Sequence, residues 1–189
     1  MIDRVDRALA SFGDALRRAR ARRRRLVWLS GLTAIGCLAL LEPMVLPSRP
    51  RLLWNASASM PIGLYRVGPA QALRVGDLAI AFPPAPAAAI AGARGYVPRA
   101  VPLLKDIAAI AGQRVCAQGT VVSVDGWPVA LRHRLDRRGR PLPWWSGCRR
   151  LGMGDLFLLG RSADSFDGRY FGPTDRPDVL GRAVPLWLR

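Results

Sequence analysis

The sequence predicts an all-β domain behind one N-terminal transmembrane helix. Three observations point there: an uncharged run after a block of arginines, a succession of short apolar runs punctuated by Gly and Pro, and no long helical pattern beyond residue 46. Residues 1–25 read as a polar segment ending in the arginine block. Leu26–Leu41 carries no charge, Glu42 and Pro43 interrupt, and Met44–Leu46 resume the apolar character. The run to Leu41 is short for a hydrocarbon core of about 30 Å, whereas residues 26–46 reach it, with Glu42 at the outer interface. The positive-inside rule then puts residues 1–25 in the cytoplasm and residues 47–189 outside. Ala56-Ser57-Ala58 also reads as a signal-peptide cleavage site. The length of the preceding basic region, and the Pro, Arg and Trp between Leu46 and Ala58, favour an anchor that stays attached.

Beyond the anchor, residues 47–53 read as a linker leading into Asn55–Tyr65. Strand-like runs follow at Asp77–Phe82, Val121–Val124, Trp127–Leu131, Asp155–Leu159 and Val179–Val184. Asp125-Gly126 lies between the second and third of these and signals a two-residue hairpin turn. Pro83–Gly95, rich in Ala and Pro, reads as a loop with one helical turn. No internal repeat is evident.

The formal charge is +16, built from 28 arginines and a single lysine, Lys105, and His133 is the only histidine. Arginine cannot serve as a base, while a lysine can be tuned toward neutrality by burial. So basic a chain invites a nucleic-acid reading. After residue 46, however, the excess of 20 basic over 9 acidic residues is scattered, with no aromatic-interleaved stripe. Anionic lipid headgroups use such charge equally well, so a bilayer is expected as partner and nucleic acid is not. Cys116 and Cys148 bracket a basic insertion and are expected to form a disulfide if that region lies outside the cytoplasm. Two cysteines without a nearby histidine argue against a zinc site, and no metal or cofactor is expected.

Three clusters carry chemistry. Asn55-Ala-Ser57-Ala-Ser59-Met-Pro-Ile-Gly-Leu-Tyr65 places two serines shortly after the anchor. Val101-Pro-Leu-Leu-Lys105-Asp-Ile-Ala-Ala-Ile embeds the sole lysine in an apolar run, where desolvation lowers an amine's pKa and leaves part of it neutral near pH 7. The bland alternative, a lysine snorkelling at a strand end, competes with that reading. Gly160-Arg-Ser162-Ala-Asp164-Ser165-Phe-Asp167-Gly-Arg169-Tyr-Phe-Gly172 follows an apolar strand, and Ser162 and Asp164 read as turn residues.

In this order the clusters resemble the S26 signal peptidases, and most closely the TraF-type peptidases of conjugative transfer. Ser59-Met60 looks like the nucleophile box, with a Met-Pro-Ile-Gly-Leu-Tyr continuation similar to the TraF branch. Pro-Leu-Leu-Lys105 followed by Ala-Gly-Gln-Arg-Val resembles the lysine box. Ser165-Phe-Asp167-Gly-Arg169-Tyr-Phe-Gly172 resembles the C-terminal box, and Gly181-Arg182-Ala183 its closing strand. The chain departs from the pattern at Asp106, commonly Arg in leader peptidases, and at Gly168, commonly Ser. The resemblance implies a signal-peptidase-like catalytic β-domain acting as an endopeptidase, with Ser59 as nucleophile and Lys105 as general base. It also implies that Ser57 supports the oxyanion, that Ser165 holds the amine, and that Asp167 either supports that network or pairs with Arg169. The implied substrate is an exported precursor with small residues before the cut, for this branch a conjugative pilin precursor, with other transfer components as further partners. Hydrolysis and cyclisation by aminolysis both stay open.

Two other functions fit parts of the sequence. A housekeeping signal peptidase would act on many exported proteins. A non-enzymatic, membrane-anchored part of a transfer apparatus would need the anchor and the basic surface but neither Ser59 nor Lys105. A soluble self-cleaving Ser–Lys repressor is disfavoured by the span and by the lack of a helix-turn-helix.

Overall fold

Alternating burial along short strands, closed by tight turns, builds two antiparallel sheets from residue 52 onward. The computed structural model describes residues 20, 22–39, 50–98 and 101–189. The chain divides into two units, Met1–Arg49 and Pro50–Arg189. In the first, residues 22–39 are helical and open with four arginines. No helix among the described residues is long and apolar enough to cross a membrane. Residues 40–46, the outer part of the expected span, lie outside the described residues, as do residues 1–19.

The described residues of the second unit form ten strands, two α-helices and a short 3-10 turn at Arg176–Asp178. The strands and α-helices are β1 (Leu52–Asn55), β2 (Gly63–Gly68), β3 (Leu78–Ala81), α1 (Ala85–Arg94), β4 (Leu103–Ala109), β5 (Arg114–Gln118), β6 (Val121–Val124), β7 (Trp127–Leu131), β8 (Gly147–Arg150), β9 (Phe157–Leu159), α2 (Gly168–Phe171) and β10 (Val179–Leu188). One sheet has the order β1-β2-β10-β3-β4-β9, the other β7-β6-β5-β8. Asp125 and Gly126 both take positive φ in the turn between β6 and β7, as a primed hairpin turn requires.

The stretch expected to be a loop is a ten-residue helix, α1. Its prolines sit at the start, where the first turn's N–H groups lack intrahelical partners anyway and a missing donor costs nothing. Alanines carry it onward. Gly95 ends it in the left-handed conformation, with the Tyr96 N–H reaching the Ala91 carbonyl. The expected linker likewise gives way to β1, which pairs with β2 from Leu52 onward.

The core lies in three patches. Met60, Tyr65, Ile80, Leu104 and Ala183 fill one; Ala81, Ile107, Leu158 and Val179 fill the next. Val115, Val122, Val124 and Phe157 join the small sheet to β9. Strand β4 is therefore covered on both faces: Leu103, Leu104 and Lys105 are all buried. Gly63 lets β10 lie close, because a Cβ there would stand 2.2 Å from the Trp187 carbonyl oxygen.

Candidate active site

Asn55, at the end of β1, braces the loop that carries both serines. Its Nδ2 donates to the carbonyls of Ser57, Met60 and Pro61 at 3.0, 3.1 and 2.9 Å. Its Oδ1 accepts from the Ser57 N–H at 3.2 Å and from the Ser57 hydroxyl at 3.1 Å. Tyr65 donates its hydroxyl proton to the Pro61 carbonyl at 2.6 Å, and the Arg161 N–H meets the Ser59 carbonyl at 2.9 Å. Buried Met60 anchors the same loop in the core. Ser59 is thus held from both sides by groups that are themselves fixed.

Lys105 reaches this loop from β4, which pairs Lys105 with Ala79 of β3. Its Nζ donates to Ser59 Oγ at 2.8 Å, and Ser57 Oγ lies 3.0 Å from the same oxygen. The lysine is 3% exposed. Burial pushes its pKa down to about 8; the nearby charge of Asp167 works against that shift, Arg169 adds to it, and Asp106 opposes it. At pH 7 about a tenth of the amine is then neutral. Such a group can accept a hydroxyl proton and pass it on.

The Gly160–Gly172 segment closes the site from the other side. Gly160 presses against it: a Cβ there would lie 2.1 Å from Ser165 Oγ and 3.1 Å from Lys105 Nζ. Ser165 is buried and its hydroxyl has no hydrogen-bond partner among the described residues, so it stands beside the amine without bonding to it. Asp167 is fully buried. Its carboxylate accepts from the Gly160 N–H at 2.7 Å, from the Arg169 N–H at 3.1 Å and from Arg169 Nε at 2.9 Å. Arg169 also donates to the carbonyls of Ala163 and Gly160, each at 2.9 Å, and to that of Leu131 at 3.3 Å. Of the two arrangements open to Asp167, the structure contains the pairing with Arg169.

Asp106 and Gly168, the two departures from the family pattern, also have local explanations. Asp106 makes a two-pronged contact with Arg161, Nε to Oδ2 at 2.8 Å and Nη2 to Oδ1 at 3.1 Å. Arg161 is the residue whose N–H holds the Ser59 carbonyl, so this pair ties β4 to the serine loop. At Gly168 a Cβ would stand 2.8 Å from the Leu158 carbonyl oxygen and 2.9 Å from the Phe157 ring, which leaves no room for Ser. Asp164 accepts from Arg137, and Ser162 Oγ accepts from the Asp164 N–H at 3.3 Å, as turn residues do.

Ser57, Ser59, Lys105 and Ser165 line one cleft of about 630 Å³. Cys116 and Cys148 do not; they face each other on β5 and β8 and are joined by a disulfide. Cys37 is a free thiol in the N-terminal unit. Among the described residues no group of His, Cys, Asp or Glu is placed to hold a metal ion. Sequence reasoning missed Asn55, Gly160 and Arg161. Only Asn55 carried a usable signal, since an Asn at a strand end before a Ser/Pro-rich turn favours side-chain to main-chain bonding.

The sequence that builds this β-domain and cleft matches a known family. Residues 24–188 match the family described as signal peptidase, peptidase S26, and the chain belongs to that family. Within it the chain falls in the TraF-type branch. It is 39% identical to the probable conjugal transfer protein TraF of Sinorhizobium fredii (68% of this chain, 73% of that one). It is 35% identical to the conjugal transfer protein TraF of Agrobacterium fabrum (84% and 89%) and 34% identical to that of Agrobacterium tumefaciens (87% and 96%).

Proposed function

We propose that this chain is a membrane-anchored serine endopeptidase that removes a terminal or leader segment from an exported precursor of a conjugative system, a pilin precursor before others. The observation that carries this reading is the buried Lys105 amine 2.8 Å from Ser59 Oγ. Ser59 Oγ attacks the scissile carbonyl while neutral Lys105 takes its proton. The Ser59 N–H and the Ser57 hydroxyl stabilise the oxyanion, while Ser165 flanks the amine without a hydrogen bond to it. Lys105 then returns the proton to the departing amine, leaving an acyl-serine. Water, or an amine of the substrate itself, attacks the acyl group next and frees Ser59.

Residues 26–46 anchor the enzyme in the inner membrane, with residues 1–25 cytoplasmic and the catalytic unit periplasmic. That location suits an oxidised Cys116–Cys148 pair. The names of the TraF relatives support a role in conjugation. The test is processing of a pilin precursor in membranes carrying wild type, Ser59→Ala or Lys105→Arg. Each variant is expected to cut at least about 1,000-fold more slowly, because each removes an obligatory proton-transfer or bond-forming group. Normal cutting by both would leave the non-enzymatic reading in place.

A further inference from the structure

The wall of the cleft contributed by the end of α1 and by residues 135–140 is cationic, and its carboxylates are already engaged. Arg94, Arg137, Arg138 and Arg140 line it against two acids, Asp136 and Asp164. Asp164 is taken by Arg137 at 3.0 Å. Asp136 accepts from Arg140 Nε at 2.7 Å, from the N–H groups of Arg138 and Arg140, and from the Tyr96 hydroxyl. Desolvation is the largest single influence and pushes its carboxyl up, but the contacts with Tyr96, Arg140 and Arg138 together outweigh it and hold the group well below the usual carboxylate range, so it stays ionised and occupied.

Two guanidinium groups are left over. Among the described residues the Arg94 side chain meets only neutral oxygens, the Pro141 carbonyl at 2.7 Å and the Tyr96 hydroxyl at 3.4 Å. Arg138 uses its N–H on Asp136, and its side chain has no partner among the described residues. The backbone carrying Arg138 is fixed by the Asp136 turn, and the Pro141 carbonyl ties that turn to the end of α1. A charge held on a fixed backbone, beside a concave apolar surface, recognises a carboxylate better than one on a mobile arm.

We infer that the cleft selects its peptide substrate by a carboxylate, an Asp or Glu side chain or the chain's C-terminal carboxylate, bound by Arg94 and Arg138 alongside the segment that meets Ser59. This rests on the peptidase reading for the substrate's polymer class and deepens it by naming a substrate charge. A peptide is favoured over a lipid phosphate because the two arginines line the same cleft as Ser59 and Lys105.

The test is binding to the full chain carrying Ser59→Ala, in neutral-detergent micelles without anionic lipid, with wild-type cleavage measured in parallel. The probes are labelled peptides with a small-residue site, scanned with Glu or Gln at each flanking position, with free or amidated C-termini. At one position, or at the free terminus, the carboxylate is expected to tighten Kd about 10-fold at low salt, the size of one charge-assisted contact. Arg138→Gln and Arg94→Gln should each remove most of that preference, Arg138→Lys should retain part of it, and Arg138→Glu should reverse it in favour of a Lys probe. Loss on amidation would assign the terminal carboxylate, and loss on Glu→Gln the side chain. Equal Kd for acidic and neutral probes at every position would overturn the proposal, as would a preference that appears only with anionic vesicles. A carboxylate preference in binding without wild-type cleavage would uphold this site and remove the peptidase reading instead.

Discussion

Two stretches of this molecule bury a cation within the same neighbourhood, and they settle its cost in opposite ways. On the Gly160–Gly172 turn, Arg169 is met by the Asp167 carboxylate and three carbonyls. On β4, Lys105 has one hydrogen-bond partner among the described residues, the Ser59 hydroxyl, and no ion pair with a carboxylate among them. Burial of a charge is costly unless the charge is paired or given up. Arg169 is paired, and Lys105 is pushed toward giving its proton up. In the proposed mechanism the second solution supplies the base, and the first builds the turn packed beside it.

Breaking the paired side should have the largest structural effect. Asp167→Asn leaves the Arg169 charge buried without a carboxylate and is expected to cost about 3–5 kcal/mol, read as a lower denaturation midpoint of the full chain in detergent. Processing should fall with it. If stability were unchanged, the Asp167–Arg169 pair would not be what holds the turn.

Gly160→Ala disturbs the unpaired side while keeping both members of the Asp167–Arg169 pair. The new methyl would overlap Ser165 and crowd the Lys105 amine, and a displaced base is expected to slow processing about 100-fold with little loss of folded protein. Wild-type rates would mean that the amine has freedom the packing does not suggest.

Asp106→Asn sharpens the comparison with the smallest effect. Removing that carboxylate takes away a charge that raises the Lys105 pKa, so the rising limb of the pH–rate profile should move to lower pH. The tie between Arg161 and β4 is lost too, so the plateau rate should fall several-fold. A limb shifted to higher pH would contradict the sign of that interaction.

The chemistry was more legible in the sequence than the scaffold, for physical reasons. Lys105 stood out because arginine served everywhere else and because its neighbours are apolar, and Ser59 was marked by Met60 and Pro61. The hairpin at Asp125-Gly126 was legible because only a few residues accept positive φ. Helix α1 was hidden because three of its first or preceding residues are proline, which breaks a helix interior but suits a first turn. β1 and β8 carry no clear alternation; β8 is exposed throughout and is positioned by its pairing to β5 and its disulfide. Gly160 and Arg161 owe their roles to neighbours distant in sequence, and no local pattern announces such contacts.

The pH dependence of stability follows from the same lysine. The unfolded chain holds that proton up to the ordinary lysine value of about 10.5, and the folded chain only to about 8. Between those values the unfolded state binds more protons, so the burden of burying the ammonium is present below about 8 and is relieved as pH rises through the window.

Because Lys105 is the only lysine, its titration can be followed without assignment. Lysine labelled with carbon-13 at Cε, incorporated into the full chain in detergent, reports the amine's protonation in a single NMR signal. A midpoint near 8, moving when Asp106 is neutralised, is the result expected of a base buried against Ser59. A midpoint near the ordinary 10.5 would contradict the account, because the amine would then be an exposed cation and Ser59 would have no base.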